Sequence, residues 1–213
     1  MKNLKIKIST ILFLSAMVAT SMVAQSNSRL GIKGGVNLSN MYTTDVNSKN
    51  AIIGANIGVF LKLALSDHFS IQPELLFSMK GAQLQYNNSF VVGTSKFTLD
   101  YIEVPVLLVF NVIPNVNIQA GAYVASLAKA KAKNVSDIGA FDFEKTLSKS
   151  DFEKTDYGLI AGVGLDFKKT SLSLRYEYGM KNVGKDRVFA GKTYRFPNAS
   201  NSTLQLSLAI SIL

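Results

Sequence analysis

The chain has 213 residues, a formal net charge of +9, 47% hydrophobic and 17% charged residues, and no cysteine. That length suits one domain, and the missing thiols exclude disulfides, a cysteine nucleophile and cysteine-held metal sites. The lysines are dispersed rather than striped between aromatics, which argues against nucleic acid as a partner. After the N-terminal segment the longest unbroken apolar run is 104–110, far below the roughly 18 to 20 residues of a membrane-spanning helix.

Lys2, Lys5 and Lys7, an apolar run from Ile8 to Ala19 and small residues through Ala24 predict a secretory signal peptide over 1–24. Its removal would leave 25–213 as one domain of charge +6. From there a two-residue period sets in. The first predicted strand, 29–40, has Leu30, Ile32, Val36 and Leu38 on one face and Lys33, Asn37 and Ser39 on the other. In 51–65, Ile53, Ile57, Val59 and Leu61 oppose Asn56, Gly58 and Lys62; in 69–85, Phe69, Ile71, Leu75, Phe77 and Met79 oppose Gln72, Glu74, Ser78 and Lys80. The fourth, 96–111, sets Ile102, Val104, Val106, Leu108 and Phe110 against Glu103 and Asn111, with Leu107 and Val109 breaking its polar face.

The fifth, 116–129, turns Ile118 and Val124 away from Asn117, Gln119 and Tyr123, and the sixth, 156–167, turns Leu159, Val163 and Leu165 away from Gly162, Gly164 and Asp166. In 170–181 Leu172, Leu174, Tyr176 and Tyr178 oppose Ser173, Arg175 and Glu177; in 202–213 Leu204, Leu206, Leu208 and Ile210 oppose Gln205 and Ser207. Turns at 66–68, 113–115 and 168–169 alternate with polar connections at 41–50, 86–95, 130–155 and 182–201. Eight such strands predict an all-β fold, an eight-stranded antiparallel transmembrane β-barrel wound as an up-and-down meander, apolar towards lipid and polar inside. Short turns then lie in the periplasm and long loops outside, with Phe69, Phe110 and Phe167 near the inner rim and Tyr157, Tyr176 and Tyr178 nearer the outer one. The 130–155 connection holds a short internal repeat, 142–146 and 151–155, read as a hairpin with paired charges.

The segments 31–39, Gly-Ile-Lys-Gly-Gly-Val-Asn-Leu-Ser, and 101–108, Tyr-Ile-Glu-Val-Pro-Val-Leu-Leu, resemble the first and a middle strand of the PorT-like outer membrane β-barrel proteins. The resemblance implies an eight-stranded outer membrane barrel and no settled activity, although the founding member is associated with protein secretion. It also implies outer membrane lipid and the barrel insertion machinery as partners. One departure is the final strand, which ends on Ile212 and Leu213 rather than on a lipid-facing aromatic.

Little in the chain carries catalysis. His68 is the single histidine and falls in a tight turn beside Ser66 and Asp67, where neighbouring side chains diverge, so no catalytic site is expected. No metal site is expected either, because the acids Asp137, Asp142, Glu144, Asp151, Glu153 and Asp156 lack a calcium-loop spacing. No cofactor is expected: Gly162 and Gly164 are read as small residues inside a narrow barrel, not as a phosphate loop. The constellation that stands out is inward charge: Lys33, Lys62, Lys80 and Arg175 against Glu74, Glu103, Asp166 and Glu177. An eight-stranded barrel has an interior that side chains can just fill, so these charges are expected to plug it. The expected function is a monomeric binding or structural envelope component acting through its external loops, with a protein partner there. A narrow pore and a lipid-modifying enzyme are the alternatives.

Overall fold

A computed structural model describes residues 28–43, 49–88, 91–136, 143–146, 153–183, 187–189, 192–194 and 199–212. The signal peptide reading and Asp137, Asp142 and Asp151 fall outside them. Eight strands form the barrel: β1 (Arg29–Thr43), β2 (Ile52–Ala64), β3 (Phe69–Asn88), β4 (Val91–Ile113), β5 (Val116–Ser136), β6 (Thr155–Asp166), β7 (Thr170–Asn182) and β8 (Ala199–Ser211). Each pairs antiparallel with the next. The seam closes where β1 meets β8, from Gly31 opposite Ser211 to Thr43 opposite Ala199. Closure leaves no free sheet edge, the condition for backbone to cross lipid.

Side-chain direction follows the period. In β4 Ile102, Val104, Val106, Leu108 and Phe110 are exposed, while Tyr101, Glu103, Leu107 and Val109 are buried. Ile53, Val124 and Leu208 are 75%, 61% and 52% exposed, and the same aliphatic outer face continues around the wall. Leu107 and Val109 point inward with Tyr101, Tyr123 and Ile160 and form an apolar cluster in the lumen.

Three tight turns stand at one end. At 65–68 the Ser66 hydroxyl accepts the Phe69 N–H at 3.2 Å, and at 167–170 the Phe167 N–H donates to the Thr170 carbonyl at 2.7 Å. The third turn is Pro114 followed by Asn115 at φ 69°. Proline followed by a residue at positive φ is the φ pattern of a type II turn, and asparagine tolerates that region better than most side chains. Beside these turns the exposed rings of Phe69 and Phe110 stack with centroids 4.9 Å apart.

The opposite end differs from the sequence-based expectation. The described residues of the polar stretches expected as loops at 86–95 and 130–155 are largely strand, since β3 runs to Asn88, β4 starts at Val91 and β5 continues to Ser136. The strand Phe143–Thr146 pairs back on β5, placing Glu144 opposite Lys133. The strands β3, β4 and β5 have 20, 23 and 21 residues, whereas roughly 9 to 11 cross a bilayer. One side of the barrel therefore projects as a tall wall, while β6, β7 and β8, of 12, 13 and 13 residues, stay low. Within the wall the β4–β5 register slips by one residue, with Tyr101 opposite Leu127 but Asp100 opposite Lys129. Ala128 is the extra residue of a β-bulge, which reverses the side-chain parity of everything after it.

Candidate functional site: the charged lumen

The turn end of the lumen is closed by β2 and β6. Lys62 Nζ lies 2.6 Å from Asp166 Oδ2, and Asn117 Nδ2 and Ser171 Oγ donate to the same carboxylate at 2.9 and 2.6 Å. A cavity of about 540 Å³ opens outside this pair, with Arg29, Asp67, His68, Asn111 and Lys168 in its lining.

The next layer centres on Glu74. Arg175 grips it through both guanidinium Nη atoms at 2.9 Å, Lys33 Nζ donates to it at 3.0 Å, and Gln72 Nε2 donates at 2.7 Å. Gln119 Oε1 accepts Arg175 Nε at 2.6 Å, and Gln205 Oε1 accepts Lys33 Nζ at 3.0 Å. The network ties β1, β3, β5, β7 and β8 together. Asn37, Asn56, Ser78 and Ser207 form a second amide and hydroxyl chain, with bonds of 2.8 to 3.1 Å. Buried charges are tolerated when they are paired and their remaining donors are also matched, which this layer achieves.

Above it, Lys80 Nζ lies 2.6 Å from Glu103 Oε2 and 2.8 Å from Glu177 Oε2, and 4.2 Å from the centroid of the Tyr123 ring. The eight residues predicted from sequence thus meet in three groups: Lys62 with Asp166, Lys33 and Arg175 with Glu74, Lys80 with Glu103 and Glu177. The sequence reading grouped Asp156 with the loop acids. The structure buries it in the lumen, where it accepts Tyr123 OH at 3.1 Å and Asn201 Nδ2 at 2.8 Å. Its inward direction was legible from parity, because Tyr157 faces outward. Four cations therefore face five carboxylates, not four, and Asp156 Oδ1 and Glu103 Oε1 have no hydrogen-bond partner among the described residues.

The loop end is sealed by apolar packing. Ala82, Leu99 and Ala130 are fully buried, and Leu127 and Val183 nearly so, in one cluster with Tyr101 and Tyr123. Salt bridge, charge network and apolar cap follow one another along the lumen, and glycine makes room for them. A Cβ on Gly162 would stand 2.8 Å from Arg175 Cγ, and one on Gly164 would stand 2.5 Å from Asn117 Oδ1.

His68 is exposed in its turn, with its ring centroid 6.4 Å from that of Phe110. Ser66 Oγ is engaged by the Phe69 amide. Among the described residues no cluster of histidine or acidic side chains has the geometry to hold a metal ion.

A family model described as outer membrane protein beta-barrel domain matches residues 23–184. No curated protein matches. The chain is similar in structure to neisserial surface protein A, with a TM-score of 0.51, 13% identity, and coverage of 88% of this chain and 100% of that one. The attachment invasion locus protein of Yersinia pestis aligns with a TM-score of 0.49 and 14% identity over 87% of this chain and 99% of that one. Outer membrane protein W of E. coli aligns at 0.41 and 9% identity over 88% and 100%.

Proposed function

Because the chain belongs to the outer membrane protein β-barrel domain family, and so to the outer membrane, we propose that it is a non-conducting, monomeric barrel serving as a binding or structural component of the envelope. The observation that carries this reading is the filled lumen: Lys80, Glu103, Leu99, Leu107 and Gln205 are all 0% exposed. Solute transport needs a continuous wet path, and an interior filled by packed side chains opposes one. Binding is assigned to the tall wall of β3, β4 and β5, whose length beyond the bilayer serves no spanning role. The proposal extends to the PorT-like resemblance of 31–39 and 101–108, under which the partner belongs to protein secretion. It also holds that the protein is not an enzyme, a view supported by the structural engagement of Ser66 beside the lone histidine.

In planar bilayers the purified barrel should show no steady conductance, and labelled outer membrane lipid should not turn over. A photo-crosslinker placed within 137–142 should yield one reproducible protein adduct in intact cells, absent when the same crosslinker stands in the turn at 114–115. A stable ion-selective conductance would overturn the reading in favour of the pore, and lipid turnover in favour of the enzyme.

A further inference from the structure

The bulge at Ala128 decides what the projecting wall shows to its surroundings. Residues 128–133 read Ala-Lys-Ala-Lys-Ala-Lys. Had the parity of Ile118 and Val124 continued, the alanines would face outward and the lysines would enter the lumen. After the slip Lys129 is exposed, Ala130 is fully buried and Lys131 is half-buried. In register, Asp100 is opposite Lys129, Thr98 opposite Lys131, and the exposed Lys96 opposite Lys133. The lysines continue, on the same side of the sheet, the aliphatic face of Ile102, Val104 and Val106.

Their height follows from strand geometry. Ile102 to Val112 spans ten residue steps, which at a rise of about 3.4 Å and a tilt near 40° gives an apolar band about 25 Å tall. Each further pair of residues adds about 5 Å on the same geometry. The headgroup zone is about 5 to 8 Å deep on each side of a bilayer. On that geometry Lys129 stands about 5 Å above the band and within the zone, Lys131 stands about 10 Å above it and reaches the zone's outer edge through its long stem, and Lys96 and the register position of Lys133 stand about 15 Å above it, beyond the zone. Two acids, Asp100 and Glu144, share the register rows, so the positive charge is in excess.

We infer that the outward face of β4 and β5 around Lys129 and Lys131 binds the phosphate groups of outer-leaflet lipid. Lipid is the occupant because the lysines lie on the face already turned to it, at headgroup depth, where a long side chain reaches a phosphate while its stem stays on apolar surface. The assignment rests on the proposed topology with the wall outside the cell, which protease accessibility tests separately.

The test uses the folded full-length barrel in neutral detergent, titrated with fluorescent lipid A carrying its phosphates or stripped of them. Wild type should prefer the phosphorylated form, less so as salt rises. The double variant Lys129→Gln, Lys131→Gln should lose about 25-fold in affinity, about fivefold per lysine, arginine at the two positions should restore it, and Lys96→Gln should lose less than either single change. Lys168→Gln, at the turn end, should bind as wild type. Unheated gel migration controls for folding, and if the double variant does not fold, Lys129→Gln alone should lose about fivefold. Equal binding of both lipid forms would overturn the inference. So would unchanged binding in the folded double variant, or equally tight binding of a soluble sulfated polysaccharide through the same lysines.

Discussion

Replacing Glu74 by alanine removes the one carboxylate that holds both Lys33 and Arg175, whose contacts with it are 2.9 to 3.0 Å long. The side chains involved are 0 to 2% exposed, so solvent offers little screening. Breaking one buried pair costs about 3 to 5 kcal/mol because the surviving charge stays buried. Here two cations survive, facing each other with Gln119 and Gln205 as neutral acceptors, so about 3 to 5 kcal/mol is the lower end of the expected loss. Urea titration of the barrel in lipid vesicles, read by unheated gel migration, measures it. Replacing the trio together, as Lys33→Met, Glu74→Leu, Arg175→Met, should recover most of the loss, since well-packed apolar groups often match a buried ion pair. Lys154→Ala, at an exposed position, is the control. If Glu74→Ala stays within about 0.5 kcal/mol of wild type, as an ordinary surface change would, the lumen is wet and the plug argument fails.

Gly162→Val should lower stability by about 1 to 3 kcal/mol, the usual penalty of overpacking, because its Cβ meets the Leu174 carbonyl oxygen and Arg175 Cγ, the latter at 2.8 Å; an unchanged urea midpoint would mean that the β7 backbone and Arg175 can both shift without losing Glu74. Asp156→Asn should raise the midpoint, since it removes the carboxylate in excess and leaves an amide oxygen to accept from Tyr123 and Asn201. A lower midpoint would show that the charge on Asp156 is compensated. Protease added to intact cells should nick within 137–142 or 147–152 and spare the turns at 65–68 and 114–115, whereas cleavage only after permeabilisation would reverse the topology.

The strands within the bilayer were legible because lipid imposes one rule on every outward position, and Leu204, Leu206, Leu208 and Ile210 obey it as plainly as Ile53 and Ile57 do. Beyond the bilayer that rule lapses. Both faces of Gln83 to Asn88 can be polar, so 86–95 reads as loop although its described residues are paired throughout. Alternation survives at 128–133, but a single unpaired residue changes which face it marks, and nothing in the local composition reveals the slip. Inward charges were legible as a set and not as pairs. Partners depend on strand tilt and stagger around the closed barrel, so Lys33 on β1 meets Glu74 on β3 rather than a residue of its neighbour β2. Asp156 was missed because it follows a polar stretch, although the parity of Tyr157 identifies its direction.

The partners of Glu74 come from β1 and β7, strands that stand on either side of the β1–β8 seam. No hairpin can assemble this trio on its own, and an unclosed sheet holds Glu74 without Arg175. The pairing of β1 with β8 is thus also the step that brings Arg175 to Glu74. Until it does, the nascent sheet must keep its charged side hydrated or shielded while its aliphatic side enters lipid. Sealing the seam and drying the lumen become one event, so partly zipped forms gain little and the end of insertion should be abrupt. A variant with an apolar trio would free the two processes from each other, and its strands could commit to the membrane before the circle is complete.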